Sequence, residues 1–522
     1  MSVNSIRNLL EMAAKSESEK IGLVYENEQI SYAQIIEKVD KIAHYLTTIG
    51  LKKGSRIGIY SNKSASQVIA ILAVLSTEYV FVPITRLLKS EQVKHIVNDC
   101  NIECIITDKS KIENIKAIDF NGKVISYEAS LESDVSFEEI IKCYSAEIQC
   151  DIKGHDNAAI TYSFGSTGNP KGVVINHRAF IDGARIVSNY LDIKKYDIIS
   201  GVLSFNLDYG LNQLFTTLYK KATLVIHKFV LPSDFFTHLI NDSITVLPLM
   251  PIHITQMFDE DPHRIPQSEH FKNLRIITSS GGNITPLMVK NITNTFSTTK
   301  FYSMHGLTEA FRSAYLDPTQ IHIRPNSIGK AIPDVELYVI NEEGEECKPR
   351  EIGELIHRGA SIYKGYWNAP KESEKRFKSI SILDKVIKPE GHLTDEIVIA
   401  SGDYVYTDEE GYIYFVSRKD DMIKTQGYRV SPHEVESVVY ENIPEITACA
   451  VFSVPNIEIE ESIVMVYGAK SELARNEILF ELKKHLPNYM LPSDIVYKKS
   501  MPLKSLHEKQ IDKEALKKAY LG

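Results

Sequence analysis

The chain has 522 residues, with 59 Lys plus Arg against 68 Asp plus Glu for a formal net charge of −9, and 43% of its residues are hydrophobic. That length predicts at least two domains with room for a cleft between them, and the acidic balance argues against a broad nucleic-acid surface, so any anionic ligand has to be held by local cations. No apolar run reaches the roughly 18 residues that a membrane span needs. The first 20 residues mix Arg7, Glu11, Lys15, Glu17, Glu19 and Lys20 without a signal-peptide core, so a cytoplasmic protein without membrane insertion is expected. The six cysteines show neither CxxC pairing nor zinc spacing and read as reduced and structural.

Hydrophobic patterning predicts strands at 56–60, 79–82 and 103–107 with helices at 66–76 and 91–98 between them. Such βαβ alternation gives a parallel sheet covered by helices. An apolar-leaning stretch, 157–162, then leads into the loop 165–172, and the α/β texture returns over 177–305, with helices at 179–190 and 209–218 and strands at 223–227, 244–248 and 274–279. From 327 to 417 the pattern changes to short strands with glycine-rich turns, at 335–340, 353–358 and 411–416, which predicts a small β subdomain. Past Arg418, strands at 446–454 and 463–467 and a helix at 472–486, with Ile478, Leu482 and Leu486 spaced by four, predict a small α+β domain. The fold class is therefore α/β: a large N-terminal domain (1–417) of two α/β layers plus a small β subdomain, then a small α+β C-terminal domain (418–522), joined near Lys419-Asp420 without a long linker.

The loop 165–172 reads Gly-Ser-Thr-Gly-Asn-Pro-Lys-Gly. Gly165, Gly168 and Gly172 allow close approach of backbone to an anion, while Ser166, Thr167 and Lys171 offer hydroxyl donors and one mobile cation. Lys171 is followed by Gly172, so this is not a Walker motif, whose lysine precedes Ser or Thr. Read alone, the loop is equally a flexible turn between strands. Four further segments follow: 305–309 (His-Gly-Leu-Thr-Glu), 401–403 (Ser-Gly-Asp), 418–430 from Arg418 through Lys424 and Gly427 to Val430, and 508–512 (Glu-Lys-Gln-Ile-Asp). Each has a plainer reading alone: Glu309 a helix N-terminal acid, Asp403 a turn residue, Arg418 and Lys509 solvated cations.

Together, in order and spacing, these segments resemble the superfamily of adenylate-forming enzymes: acyl-CoA synthetases, adenylation domains of nonribosomal peptide synthetases, and luciferases. The resemblance covers nearly the whole chain and includes 280–282 (Ser-Gly-Gly), 327–330 (Ser-Ile-Gly-Lys), 353–355 (Gly-Glu-Leu) and 365–367 (Gly-Tyr-Trp). Segments 203–215, 306–312 and 427–434 look closest to stand-alone bacterial AMP-forming acyl or amino-acid ligases.

The resemblance implies that a carboxylate attacks ATP, pyrophosphate leaves, and the acyl-adenylate passes to a thiol. Ser163, Gly165, Ser166, Thr167, Gly168 and Lys171 would hold the β and γ phosphates, Thr308 would donate to the α phosphate, and Glu309 would hold Mg2+, a hard cation suited to carboxylate oxygen. Asp403 would accept both ribose hydroxyls, supported by Arg418, with Gly281, Gly282, His305 and Gly306 around adenine. Lys509 would carry its cation between substrate carboxylate and α phosphate. The C-terminal domain would then rotate about Asp420, otherwise a local salt-bridge residue, bringing Lys424 and Gly427 to the site and the thiol tunnel.

For the acid, Asp208, beside Tyr209, matches the aspartate that pairs with the substrate ammonium in amino-acid-activating members. It is also placed to cap the helix at 209–218. The expected acceptor is a phosphopantetheine thiol on a separate carrier protein, since the chain ends soon after Lys509; coenzyme A is the alternative, and an inactive nucleotide-binding homologue a third. Phe164, His305, Ser401 and Glu508 depart from the family pattern, where a small hydroxyl residue, tyrosine, threonine and glycine are usual.

Overall fold

The computed structural model describes residues 3–521 except 89, 145–147, 149, 164–169, 260–264, 283, 388–394, 426–427, 457–459 and 504–510. Its strands form three sheets of seven, fourteen and five strands. In the seven-stranded sheet, Arg56–Tyr60 runs parallel to both Val80–Ile84 and Ile102–Thr107. Val80–Ile84 is buried at every position, as expected for a parallel strand with both faces covered. Helix Ala65–Leu75 joins the first two strands, and the Ser64 side chain caps it by accepting from the Gln67 N–H. Patterning gave this helix one apolar face, yet nearly every residue in it is buried. It packs on Arg56–Tyr60, Val80–Ile84 and helix Tyr32–Thr48, and also touches Ile21–Tyr25 of the fourteen-stranded sheet. Leu72 is 1% exposed there; burying a side chain of this kind contributes about 1.5–3 kcal/mol.

The fourteen-stranded sheet has a parallel centre made of Thr223–Ile226, Ile198–Ser200, Val246–Leu249, Ile276–Ser279 and Lys300–His305. Two features go beyond the expected layers. The hairpin Ile21–Tyr25 with Glu28–Ser31 supplies one edge, Leu23 pairing with Leu224. At the other end, the expected β subdomain is a continuation of the same sheet: antiparallel pairing runs from Lys300–His305 through Ala314–Leu316 and Ser327–Ala331 to Ile413–Arg418. The carboxyl ends of the parallel strands therefore lie side by side, with Leu249 opposite Ser279 and Ser279 opposite Ser303. In open α/β sheets ligands bind in the crevice outside those ends.

Residues from Ile423 onward build the five-stranded sheet, with Glu460–Ala469 between Ile446–Asn456 and Asp494–Tyr497. Helices Pro432–Asn442 and Arg475–His485 cover one apolar cluster through Val435, Val439 and Leu482, and helix Lys513–Leu521 closes a second through Leu516. Lys513 also pairs with Glu436 at 2.6 Å. All six cysteines are unpaired. Among the described residues no helix is long and apolar enough to cross a membrane.

Candidate active site

The glycine-rich loop connects two antiparallel strands, Asn157–Ser163 and Lys171–Asn176, with Ser163 opposite Lys171. Residues 364–367 run along the second strand, where the Val174 N–H donates to Gly365 and the Trp367 N–H to Gly172. Gly172 is required by packing: a β-carbon there would lie 2.7 Å from Ile160 Cγ2. Gly165, Ser166, Thr167 and Gly168 lie outside the described residues, as does the Ser163 side chain. Lys171 Nζ sits 2.8 Å from Glu372 Oε2 and 5.9 Å above the Tyr366 ring. Hydrogen bonds from Lys171 and Lys375 hold the Glu372 carboxyl down at about 2. The expected phosphate cation thus already has a carboxylate partner.

Tyr366 turns this pair toward the second segment. Its hydroxyl donates to the Glu309 carboxylate, which is buried, and burial together with that carboxylate holds the phenol well above its usual range. One tyrosine therefore links the expected phosphate cation to the expected metal ligand. Thr308 is exposed beside them. Among the described residues no three His, Cys, Asp or Glu side chains cluster to hold a metal. A cation at Glu309 would take most of its ligands from substrate phosphates and water, the usual habit of Mg2+.

A third corner forms around Asp403. Strands Ile397–Thr407 and Ile413–Arg418 pair antiparallel and set Asp403 opposite Arg418. Arg418 Nε lies 2.9 Å from Asp403 Oδ1 and His305 Nε2 3.3 Å from Oδ2. Neither contact has the direction of a hydrogen bond, so among the described residues both carboxylate oxygens and His305 Nε2 are enclosed without a hydrogen-bond partner. Asp403 lies within a strand and not in the turn that its sequence also allowed, and the backbone before it is firmly held: Gly402 adopts φ +67°, its N–H donates to Glu354 Oε1 at 3.0 Å, and the Asp403 N–H donates to Ser401 Oγ at 3.0 Å. Glu354 also binds Lys419 at 2.8 Å. Gly281, at φ +85°, and Gly282 follow strand Ile276–Ser279. Gly306 is forced by close approach, since a β-carbon there would lie 2.6 Å from the Phe311 carbonyl oxygen.

The fourth corner holds Asp208 and Tyr209. Helix Asp208–Lys220 begins at Asp208 itself with Leu207 at the cap, so Asp208 is not the N-cap that the sequence also allowed. Its carboxylate accepts from the Tyr209 N–H at 2.6 Å, and burial raises its pKa against the nearby Arg312 charge. Tyr209 is buried, its hydroxyl 2.7 Å from Thr278 Oγ1. Arg312, Tyr366, Glu372 and Glu354 were not singled out from the sequence. Arg312, Glu354 and Tyr366 stand inside family-like segments, whereas nothing marked Glu372. Lys509 and Gly427 lie outside the described residues, and so do the side chains of Asp420 and Lys424.

Residues 10–367 match the family described as AMP-binding enzyme. The chain belongs to that family. Its membership agrees with the adenylate-forming superfamily expected from the motifs, and with an enzyme. Tyrocidine synthase 1 of Brevibacillus parabrevis is 26% identical over 518 residues, 98% of this chain and 45% of that protein; gramicidin S synthase 1 of Brevibacillus brevis is 26% identical over 508 residues, 96% and 43%. The chain thus spans less than half the length of these relatives. Among solved structures, ATP-bound MatB from Rhodopseudomonas palustris superposes with a TM-score of 0.87 at 22% identity over 99% of both chains. The o-succinylbenzoate coenzyme A synthetase MenE of Bacillus subtilis, in complex with ATP and magnesium ion, gives 0.82 at 21% identity over 97% of this chain and 99% of that one. The family fold is therefore shared from end to end with these two structures.

Proposed function

We propose that this AMP-binding family member joins a carboxylic acid, an amino acid or another amine-bearing acid, to ATP and then passes the acyl group to a phosphopantetheine thiol on a separate carrier protein. The observation that carries the reading is Asp403: an enclosed carboxylate that lies beside Arg418 and His305 but, among the described residues, accepts no hydrogen bond on either oxygen, next to the strand that ends at His305. A buried carboxylate that accepts no hydrogen bond is costly even beside a cation, and a vicinal diol offers two donors in one group.

In the first step a carboxylate oxygen bonds to the α phosphorus, the bond from that phosphorus to its bridging oxygen breaks, and pyrophosphate leaves. Lys171 would exchange Glu372 for the terminal phosphates, Thr308 would donate to the α phosphate, and Glu309, fixed by Tyr366, would hold Mg2+, which offsets phosphate charge when bound. Lys509 would bring its ammonium between the two anions, stabilising charge where it builds up. Asp208 would pair with the substrate ammonium. In the second step a thiol attacks the acyl carbon, AMP leaves and the thiol proton passes to solvent. Residues 1–417 would act as the nucleotide- and acid-binding domain, and 418–522 as a mobile domain turning at Asp420 to present Lys424 and Gly427. Coenzyme A as acceptor is the second reading, favoured by similarity along the whole chain to a coenzyme A synthetase.

ATP–pyrophosphate exchange with a panel of acids tests the first step. Exchange with at least one acid is expected, lost by about 100-fold or more in Lys509→Ala, the scale for removing one group that stabilises a transition state. Absence of exchange with every acid would leave a nucleotide-binding protein without this chemistry. Offering coenzyme A or a phosphopantetheinylated carrier to the loaded enzyme separates the acceptors.

A further inference from the structure

Arg312 is 2% exposed, yet among the described residues no carboxylate lies within ion-pair distance of it. A guanidinium is expensive to bury unless it is paired and hydrogen-bonded. What holds it instead is partial: Nη1 donates to Ser280 Oγ at 2.6 Å, and the guanidinium carbon lies 4.8 Å from the Tyr209 ring centroid and 4.7 Å from that of Phe311. Cation–π contacts of this kind are worth about 0.5–2 kcal/mol, less than the desolvation of a full charge. Among the described residues Nε–H is left enclosed and unpartnered, and so is the Tyr363 hydroxyl, which feels the charges of both Arg312 and Asp208.

These groups belong to the acid corner. Tyr209 follows Asp208, Ser280 follows the carboxyl end of Ile276–Ser279, and Arg312 lies three residues beyond Glu309. Arg312 is near enough for its charge to be felt at Asp208, but the two are not within ion-pair distance among the described residues. The corner therefore presents one fixed anion and one fixed cation, each with capacity left over.

We propose that Arg312 is a specificity-determining residue, and that the acid activated here carries a second acidic group: its reacting carboxylate faces the nucleotide, its ammonium pairs with Asp208, and its second oxyanion takes the Arg312 guanidinium with the Tyr363 hydroxyl. This rests on the adenylation reading and narrows it to aminodicarboxylic acids and their chemical equivalents. A planar guanidinium packed against two rings is preorganised for bidentate carboxylate binding, and a ligand with both charges leaves the closed corner neutral.

The test is pyrophosphate exchange by the full chain with matched acids: aspartate and glutamate against asparagine, glutamine and leucine, and glutarate against butyrate. The expected result is that the best acid bears the second acidic group. Arg312→Gln then lowers the preference for it over its neutral partner about 100-fold, mostly through KM, the scale for losing one partner of a buried charge pair, and Arg312→Lys restores part of it. A best acid without a second acidic group would overturn this inference while leaving adenylation standing. That outcome is read on the unaltered protein, so a misfolded variant cannot mask it. Exchange with no acid at all would overturn the adenylation reading, and this one with it.

Discussion

Tyr366 does two things with one ring: its face lies under the Lys171 ammonium and its hydroxyl fixes the Glu309 carboxylate. Removing that hydroxyl leaves Glu309 buried with one donor fewer, at a cost of about 1–3 kcal/mol. Tyr366→Phe is therefore expected to raise the Mg2+ concentration needed for half-maximal pyrophosphate exchange about tenfold, while the ring stays under Lys171. An unchanged Mg2+ titration would mean that Glu309 needs no orienting partner. The side chains at this scale were unevenly legible. Asp403 and Glu309 could be picked out because they stand in short motifs that together resemble the adenylate-forming pattern. Glu372 could not, because a glutamate in a lysine-rich helix reads as solvated surface until the fold brings it to Lys171.

At the scale of elements, the hairpin Asn157–Ser163 with Lys171–Asn176 decides how the glycine-rich loop is held. Gly172 lies against Ile160, a β-branched neighbour with no exposure. Gly172→Ala should cost about 1–3 kcal/mol by overpacking, read as a lower denaturant midpoint with unchanged slope, together with weaker ATP saturation in exchange. Full stability in that variant would show that the hairpin relaxes freely. Elements whose apolar residues follow one clean period were legible to within a few residues: strands Arg56–Tyr60 and Val335–Ile340 fall where patterning put them, and helix 179–190 begins at His177, where Asn176 caps it. Strand Ile21–Tyr25 was not foreseen, because only five residues long it makes no sense without Thr223–Ile226 beside it. The nearly complete burial of Ala65–Leu75 was also invisible, since which faces are covered depends on a second sheet arriving from elsewhere in the chain.

For the molecule as a whole, His177 and His357 are buried and held near 4, well under the ordinary 6.5, because their charged forms would lose water. The unfolded chain binds protons at these sites between pH 6.5 and about 4 while the folded one does not, so stability is full above that window and falls as pH drops through it. Each contributes on the order of 3 kcal/mol. Thermal melting is expected to decline steeply below pH 6.5, and His357→Gln to flatten part of that decline. A variant that keeps the same pH slope would place the cause in other groups.

The pairing of residue 23 with residue 224 fixes an order of events for a chain made from its N-terminus. The hairpin Ile21–Tyr25 with Glu28–Ser31 is made early, but the far edge of Ile21–Tyr25 has no partner until the middle of the protein has been synthesised, so that edge stays available to other chains in the interval. Truncations that stop short of Thr223–Ile226 should for that reason aggregate rather than yield a separable N-terminal half, although the seven-stranded sheet contains its own βαβ unit. Completion of this edge of the fourteen-stranded sheet is in this sense a late and long-range event, gated by the return of the chain to residues 21–25.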